Sequence, residues 1–317
     1  MINCSHFSFS PTPCITYKKL SENLNVNLVV KHDDLFNLSG GGNKARKLQY
    51  IIANAQKNKI NAIVTAGGLQ SNHVRATSIM CTLLGWKAIM IVHAEKPQQD
   101  IYDGNLKLTK LSGSEIRFVD MCNVSHAMDS AMNDLKEEGY NPLYIWGGGH
   151  CLEGTFSYYK AVEELKDQLC NLNPDYIVVA SGTGTTQAGL EIGARHFFPD
   201  CKILGVSVAR KTEKGKEIIL NSFKELNALL QKPVRLPNDV FFDDRWIGGG
   251  YEETYPELIE TILWAAKTEG LILDPTYTGK AFHAFRKYVE TELIPKNSNV
   301  VFWHTGGLLN LMASNKI

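Results

Sequence analysis

Gly40-Gly41-Gly42-Asn43-Lys44-Ala45-Arg46-Lys47-Leu48 reads as a glycine turn running into a helix. Three successive glycines let the backbone turn tightly and approach a ligand closely. Asn43 is of the residue type that caps a helix. Leu48, Ile51, Ile52 and Ala55 then recur at the spacing of one helix face. Lys44 therefore falls where a rigid loop becomes a helix. A lysine at a helix start is, taken alone, most often solvated. The rest of the chain argues for a more particular use.

Upstream, Asn27 to Lys31 reads as a short strand that delivers His32-Asp33-Asp34 to the glycine loop. Downstream, helix and strand patterns alternate. The expected elements are helix Leu48–Lys57, strand Ala62–Ala66, helix Ser71–Leu84, strand Lys87–His93, helix Leu106–Leu111, strand Glu115–Val119, helix His126–Glu138 and strand Leu143–Trp146. Gly147-Gly148-Gly149-His150 interrupts the series and marks a return to a second unit. There the pattern predicts helix Thr155–Leu169, strand Tyr176–Ala180, a helix from Ala188, strand Ile203–Val208, helix Thr212–Leu230 and strand Val240–Asp243. Helix Pro256–Thr268, an apolar strand Leu271–Leu273, helix Gly279–Thr291 and strand Val300–Trp303 complete it. Such alternation with short loops implies parallel strands covered on both faces. Two α/β lobes without a flexible connector imply a cleft between them.

The bulk properties narrow the function. The 317 residues balance 33 basic against 33 acidic side chains, which argues against a nucleic-acid partner or an anionic membrane surface. No apolar run reaches membrane-spanning length. Met1 to Pro13 lacks the basic and apolar regions of a signal peptide. Seven scattered cysteines (4, 14, 81, 122, 151, 170 and 201) and nine scattered histidines show no CxxC or HExxH, so reduced thiols, a cytoplasmic location and no metal are expected.

Several loops carry possible chemistry. Ser181-Gly182-Thr183-Gly184-Thr185-Thr186-Gln187 follows a continuous apolar strand and opens a helix. Backbone N–H groups at such a point favour an anion, and threonine hydroxyls add donors, so the segment reads as a phosphate cup. It is no Walker A motif, because no Gly-Lys-Ser/Thr closes it, and Gln187 stands where a dinucleotide fingerprint wants glycine. Gly67-Gly68-Leu69-Gln70-Ser71-Asn72-His73 is a second loop at a helix N-terminus. It is suited to a carboxylate, with Ser71, Asn72 and His73 available to a ligand or, more plainly, as caps. Asp274-Pro275-Thr276-Tyr277-Thr278-Gly279-Lys280 presents Tyr277, and Tyr251 follows Gly248-Gly249-Gly250. His304-Thr305-Gly306-Gly307 ends the last strand, where open sheets bind ligands. A poised lysine, a phosphate cup, a hydroxyl for a ring nitrogen and a carboxylate site together suit pyridoxal phosphate, an electron sink for amino-acid carbanions.

In order, GGNKARKL, TAGGLQSNHVRATS, SGTGTTQAG, LDPTYTGKA and HTGG resemble the family of D-cysteine desulfhydrase and 1-aminocyclopropane-1-carboxylate (ACC) deaminase, from about residue 10 to 310. The resemblance implies a pyridoxal-phosphate enzyme of fold type II, like the tryptophan synthase β-subunit. In that fold two open, twisted α/β domains hold the cofactor in the cleft between them. It implies a large domain from 1–46 and 155–317, a small domain from 47–154, and a homodimer. It selects Lys44 rather than Lys47 as the lysine that condenses with the cofactor aldehyde. It gives the phosphate to Thr183, Gly184, Thr185 and Thr186, the ring hydroxyl to Asn72, and the substrate carboxylate to Ser71. Tyr251 and Tyr277 would face the substrate.

ACC deaminases of this family carry Tyr-Glu-Gly-Lys, whose glutamate keeps the pyridine nitrogen protonated. Here the run is Tyr277-Thr278-Gly279-Lys280, and Thr305 would meet that nitrogen, as in desulfhydrases. A hydroxyl leaves a shallower electron sink than a carboxylate partner. That suffices when a thiolate leaves from Cβ, and α,β-elimination of D-cysteine is the expected reaction. ACC deamination, cysteate elimination and a non-catalytic phosphate- or nucleotide-binding module are the alternatives. The chain departs from the family at Lys31-His32-Asp33-Asp34, Gln49, Tyr251-Glu252-Glu253-Thr254 and Leu308-Leu309-Asn310, where a proline is usual.

Overall fold

A computed structural model describes residues 10–97, 102–170 and 172–317. Residues 1–9, including Cys4 and most of the amino-terminal reading, lie outside the described residues. The strands are β1 Cys14–Thr16, β2 Asn27–His32, β3 Ala62–Gly67, β4 Lys87–His93, β5 Glu115–Val119, β6 Pro142–Ile145, β7 Tyr176–Ser181, β8 Lys202–Ser207, β9 Phe242–Asp243 and β10 Asn299–His304. They form two sheets, one in the order β1-β2-β10-β7-β8-β9 and one in the order β5-β4-β3-β6. Every pairing is parallel except β1 with β2. This mixed two-sheet architecture is the α/β fold expected above.

The apolar runs explain the layering. β7 is buried on both faces: Val178 packs with Leu28, Leu204 and Phe302, while Ile177 and Val179 pack with Tyr158, Leu190 and Trp303. β3 divides its side chains in the same way, with Ile63 on one face and Val64 on the other. Parallel strands covered twice by helices require such unbroken hydrophobicity.

A buried charged knot ties the large sheet to the glycine loop. Asp33 directly follows β2 and accepts from Arg46 Nε and Nη2, Thr12 Oγ1, Tyr158 Oη and Trp303 Nε1. Glu164 accepts from Arg46 Nη1 at 2.8 Å and from Lys31. The backbone continues the tie. Gly42 N donates to Asp33 O at 2.8 Å, and Asn43 N donates to Thr305 O at 2.9 Å. Gly41 has φ +50°, and an added Cβ would stand 1.9 Å from Asp34 O, so only glycine fits.

Several expectations need correction. The helix after the glycines begins at Asn43, not Leu48, and runs to Lys57, with Gly42 as its N-cap. Asn43 is thus a first-turn residue, and its amide donates to Thr186 Oγ1 at 3.2 Å instead of capping. Leu271–Leu273 is not a strand. Leu271 and Leu273 are buried and Ile272 is exposed, so the alternation records an extended segment lying on the core without a strand partner. The strand expected over Val240–Asp243 shortens to β9, and the helix expected from Thr155 begins at Leu152. Helices Lys18–Leu24 and Leu308–Met312 were not anticipated.

Candidate active site

The ligand loops sit at the carboxyl ends of parallel strands, where side chains and helix N-termini converge. β7 runs into the Ser181–Gln187 loop, β10 into Thr305, and β3 into the Gly67–Asn72 loop. The Asn43–Lys57 helix brings Lys44 among them. One cavity is lined by Asn43, Lys44, Asn72, Thr183, Tyr277 and Thr305, with Gly184 and Thr186 beside them. A wider cleft of about 720 Å³ adjoins it, and there Ser71, His73 and Tyr251 join Lys44, Asn72 and Tyr277. Among the described residues, neither lining contains an aspartate or glutamate.

The cup is built as the glycine pattern requires. Gly184 adopts φ +90° and caps helix Thr185–Phe197, whose first N–H groups point outward. Thr183, Gly184 and Thr186 line the cavity. Thr185 is turned away from it, and its hydroxyl accepts from Lys47 Nζ at 2.6 Å.

Lys44 and Lys47 converge on one acceptor that the sequence did not reveal. Gly148 O lies 3.0 Å from Lys44 Nζ and 3.3 Å from Lys47 Nζ. This carbonyl belongs to the glycine run that was expected only to end a domain. Burial pushes Lys44 down to about 8. Burial and the neighbouring Lys44 charge push Lys47 well below the usual lysine range. His150 follows the same run, and its Nδ1–H donates to Thr183 O at 3.0 Å, closing the loop onto the cup.

On the other wall, Ser71 caps helix Asn72–Leu84 by accepting from Val74 N at 3.2 Å. His73 donates from Nε2 to Thr65 Oγ1, whose own hydrogen goes to Ile145 O, so Nδ1 is a bare acceptor without a partner among the described residues. The Tyr277 loop is held by Asp274, which accepts from the N–H groups of Thr276, Tyr277 and Thr278 and from the Thr278 hydroxyl. Thr278 is thereby committed to Asp274 and buried. The phenols of Tyr251 and Tyr277 bond each other. Tyr251 keeps 41% of its surface exposed, but its phenol end is buried and pushed up to about 12. Burial likewise raises Tyr277. Both phenols therefore keep their protons at neutral pH and can donate them.

Residues 7–306 match the family model described as pyridoxal-phosphate dependent enzyme. The chain belongs to that family. A Thermotoga maritima protein provisionally named 1-aminocyclopropane-1-carboxylate deaminase is 34% identical, covering 98% of this chain and 97% of the relative. The D-cysteine desulfhydrase of Salmonella typhimurium is 30% identical, covering 97% and 94%. A crystal structure described as an ACC deaminase homologue superposes with a TM-score of 0.86 at 31% identity, covering 94% of this chain and 90% of that one. The chain is therefore an enzyme, and the non-catalytic binding module considered above is set aside.

The residues present fit pyridoxal phosphate. Ser181 Oγ lines the inner cavity, buried and without a partner among the described residues, as expected of a group awaiting a ligand. Lys47 is a buried amine whose bonds go to a hydroxyl and a carbonyl, and an adjacent phosphate would favour its protonated form. Lys47 and Gly148 were missed because their use depends on contacts across roughly a hundred residues of chain. Attachment of the cofactor aldehyde needs neutral Lys44. At pH 7.5, a value of about 8 leaves about a quarter of the side chains neutral, against about one in a thousand for an ordinary lysine. The rate at which apo-enzyme gains the cofactor's visible absorption should therefore rise with pH through about 8 and level off above it. A rate still climbing steeply at pH 10 would contradict this.

Proposed function

We propose that this pyridoxal-phosphate enzyme catalyses α,β-elimination of a small β-substituted amino acid, D-cysteine foremost, to pyruvate, ammonia and hydrogen sulfide. The observation that carries the reading is that, among the described residues, no carboxylate lines either cavity, with Thr305 following β10 and Thr278 bound to Asp274. A ring nitrogen held in this site would meet the neutral hydroxyl of Thr305. When bound, the cofactor supplies the electron sink that makes the substrate Cα–H acidic. The N–H groups at the start of helix Asn72–Leu84, with Ser71 and His73 beside them, hold the substrate carboxylate. Asn72 would meet the ring hydroxyl. Thr183, Gly184 and Thr186 would hold the phosphate directly, with Thr185 acting through Lys47. With the cofactor bound, Lys44 Nζ would take the Cα proton as general base. As the Cβ–S bond breaks with its electron pair on sulfur, Tyr277, its proton shared with Tyr251, would protonate the departing hydrosulfide. Water completes the release of pyruvate and ammonia.

ACC deamination is the second reading, favoured by the name of the Thermotoga maritima relative. Pyruvate release from D-cysteine, L-cysteine, cysteate and ACC, measured side by side, separates the two. The expected order places D-cysteine first, and ACC as the best substrate would overturn it. The same family reading supports three further proposals: a small domain over 47–154, a homodimer and a cytoplasmic location. The 46/47 boundary would fall inside helix Asn43–Lys57. Among the described residues, no helix is long and apolar enough to cross a membrane.

A further inference from the structure

Asn310 lines neither cavity, yet it is a polar side chain only 6% exposed. It sits on helix Leu308–Met312, where the carboxyl-terminal segment meets the loop carrying Ser71 and Asn72. The donor and acceptor sense of its amide can be read from its surroundings. The Arg75 guanidinium is fully buried and can only donate. Its Nε lies 3.1 Å from the Asn105 side chain, so the facing atom is Asn105 Oδ1. Asn105 Nδ2 therefore donates, to Gln70 O and to Asn310 Oδ1, each at 3.1 Å. Asn310 Nδ2 donates at 3.0 Å to Gln70 O, a carbonyl that can only accept. Asn310 Oδ1 is thus an acceptor fixed from two sides. The Asn72 atom 2.6 Å from it must be Nδ2. One Nδ2 hydrogen of Asn72 is thereby committed, and among the described residues its second Nδ2 hydrogen and its Oδ1 stay free for a ligand.

The same arginine donates to Ser39 O at 2.6 Å and to Gly41 O at 3.0 Å, in the loop that presents Lys44. One donor-only group therefore registers both the lysine loop and the Asn72 amide. We propose that Asn310 is a positioning residue for Asn72, holding one Nδ2 hydrogen so that the second is presented to the ring oxygen of the cofactor. This rests on the assignment of Asn72 to the ring hydroxyl.

The test is a double-mutant cycle on the holoenzyme, comparing Asn72→Ala, Asn310→Ala and the pair. The readouts are the dissociation constant of pyridoxal phosphate and the pH dependence of its visible band. Each single change should weaken the cofactor about tenfold and shift the band. The pair should be no worse than Asn72→Ala alone, because Asn310 acts through Asn72. Additive losses would reduce Asn310 to a clasp between chain segments and overturn the inference. If Asn310→Ala does not fold, Asn310→Asp decides. It keeps an oxygen facing Asn72, so its band should stay near the wild-type position, and a shift as large as that of Asn72→Ala would overturn the proposal. Wild-type protein that takes up no cofactor would refute the reading of the cleft itself, an outcome seen before any variant is made.

Discussion

Lys44→Ala is expected to lower turnover by at least about a thousandfold and to abolish the visible absorption of the lysine-linked cofactor. The side chain lines both the inner cavity and the wider cleft, and burial brings it to about 8, so it is available both to attack an aldehyde and to accept a proton. Lys47→Ala should behave differently. Lys47 is 1% exposed, lines neither cavity and points at Thr185 at the head of the cup. Its loss removes the amine that ties Thr185 Oγ1 to Gly148 O behind the proposed phosphate site, and the cofactor dissociation constant should rise about tenfold. The visible band should return once cofactor is in excess. A Lys44→Ala enzyme that kept the band, with a Lys47→Ala enzyme that lacked it at saturation, would exchange the two roles.

Asp33→Ala is expected to destabilise the protein by about 3–5 kcal/mol, because it leaves Arg46 and Lys31 as buried cations short of a counter-charge. Burial alone would push the Asp33 carboxyl up. The Arg46 guanidinium, Lys31 and the Trp303 N–H outweigh burial and hold it below the usual carboxylate range. A depressed carboxyl contributes stability above its unfolded value near about 4 and loses it as pH falls through its folded value. Wild-type protein should therefore weaken on acidification below about pH 4, and the variant should weaken less over the same interval. Denaturant midpoints of both proteins across that range test the prediction. Equal midpoints, or equal sensitivity to acid, would show that the knot is not what anchors the glycine loop.

That knot illustrates what a linear reading can and cannot reach. Lys31 and Asp33 stand at the end of an apolar strand and Arg46 in the first turn of the helix after the glycines, positions that by themselves equally suit solvated charges. Their partner Glu164 is more than a hundred residues away. Periodicity reports which side of an element is covered, not what covers it. For the same reason Leu271–Leu273 passed for a strand, since burial on alternate residues is also what an extended, unpaired segment shows. Asn43 passed for a cap because its type favours that position, whereas Gly42 occupies it and leaves the Asn43 amide to Thr186.

The sequence by itself determined the α/β alternation, the cofactor class and the residues that gather around it. Those features rest on local patterns: apolar period, glycine turns, and hydroxyls at helix starts. The family resemblance had already singled out Lys44, and only the tertiary structure showed that Lys47 lines neither cavity and supports the cup. Only it showed that Thr185 turns away, that Gly148 O joins the two amines, and that Asn310 meets Asn72. Each of these depends on where two distant backbone segments pass each other, and a hydrogen bond formed there leaves no trace in the spacing of residues along either one.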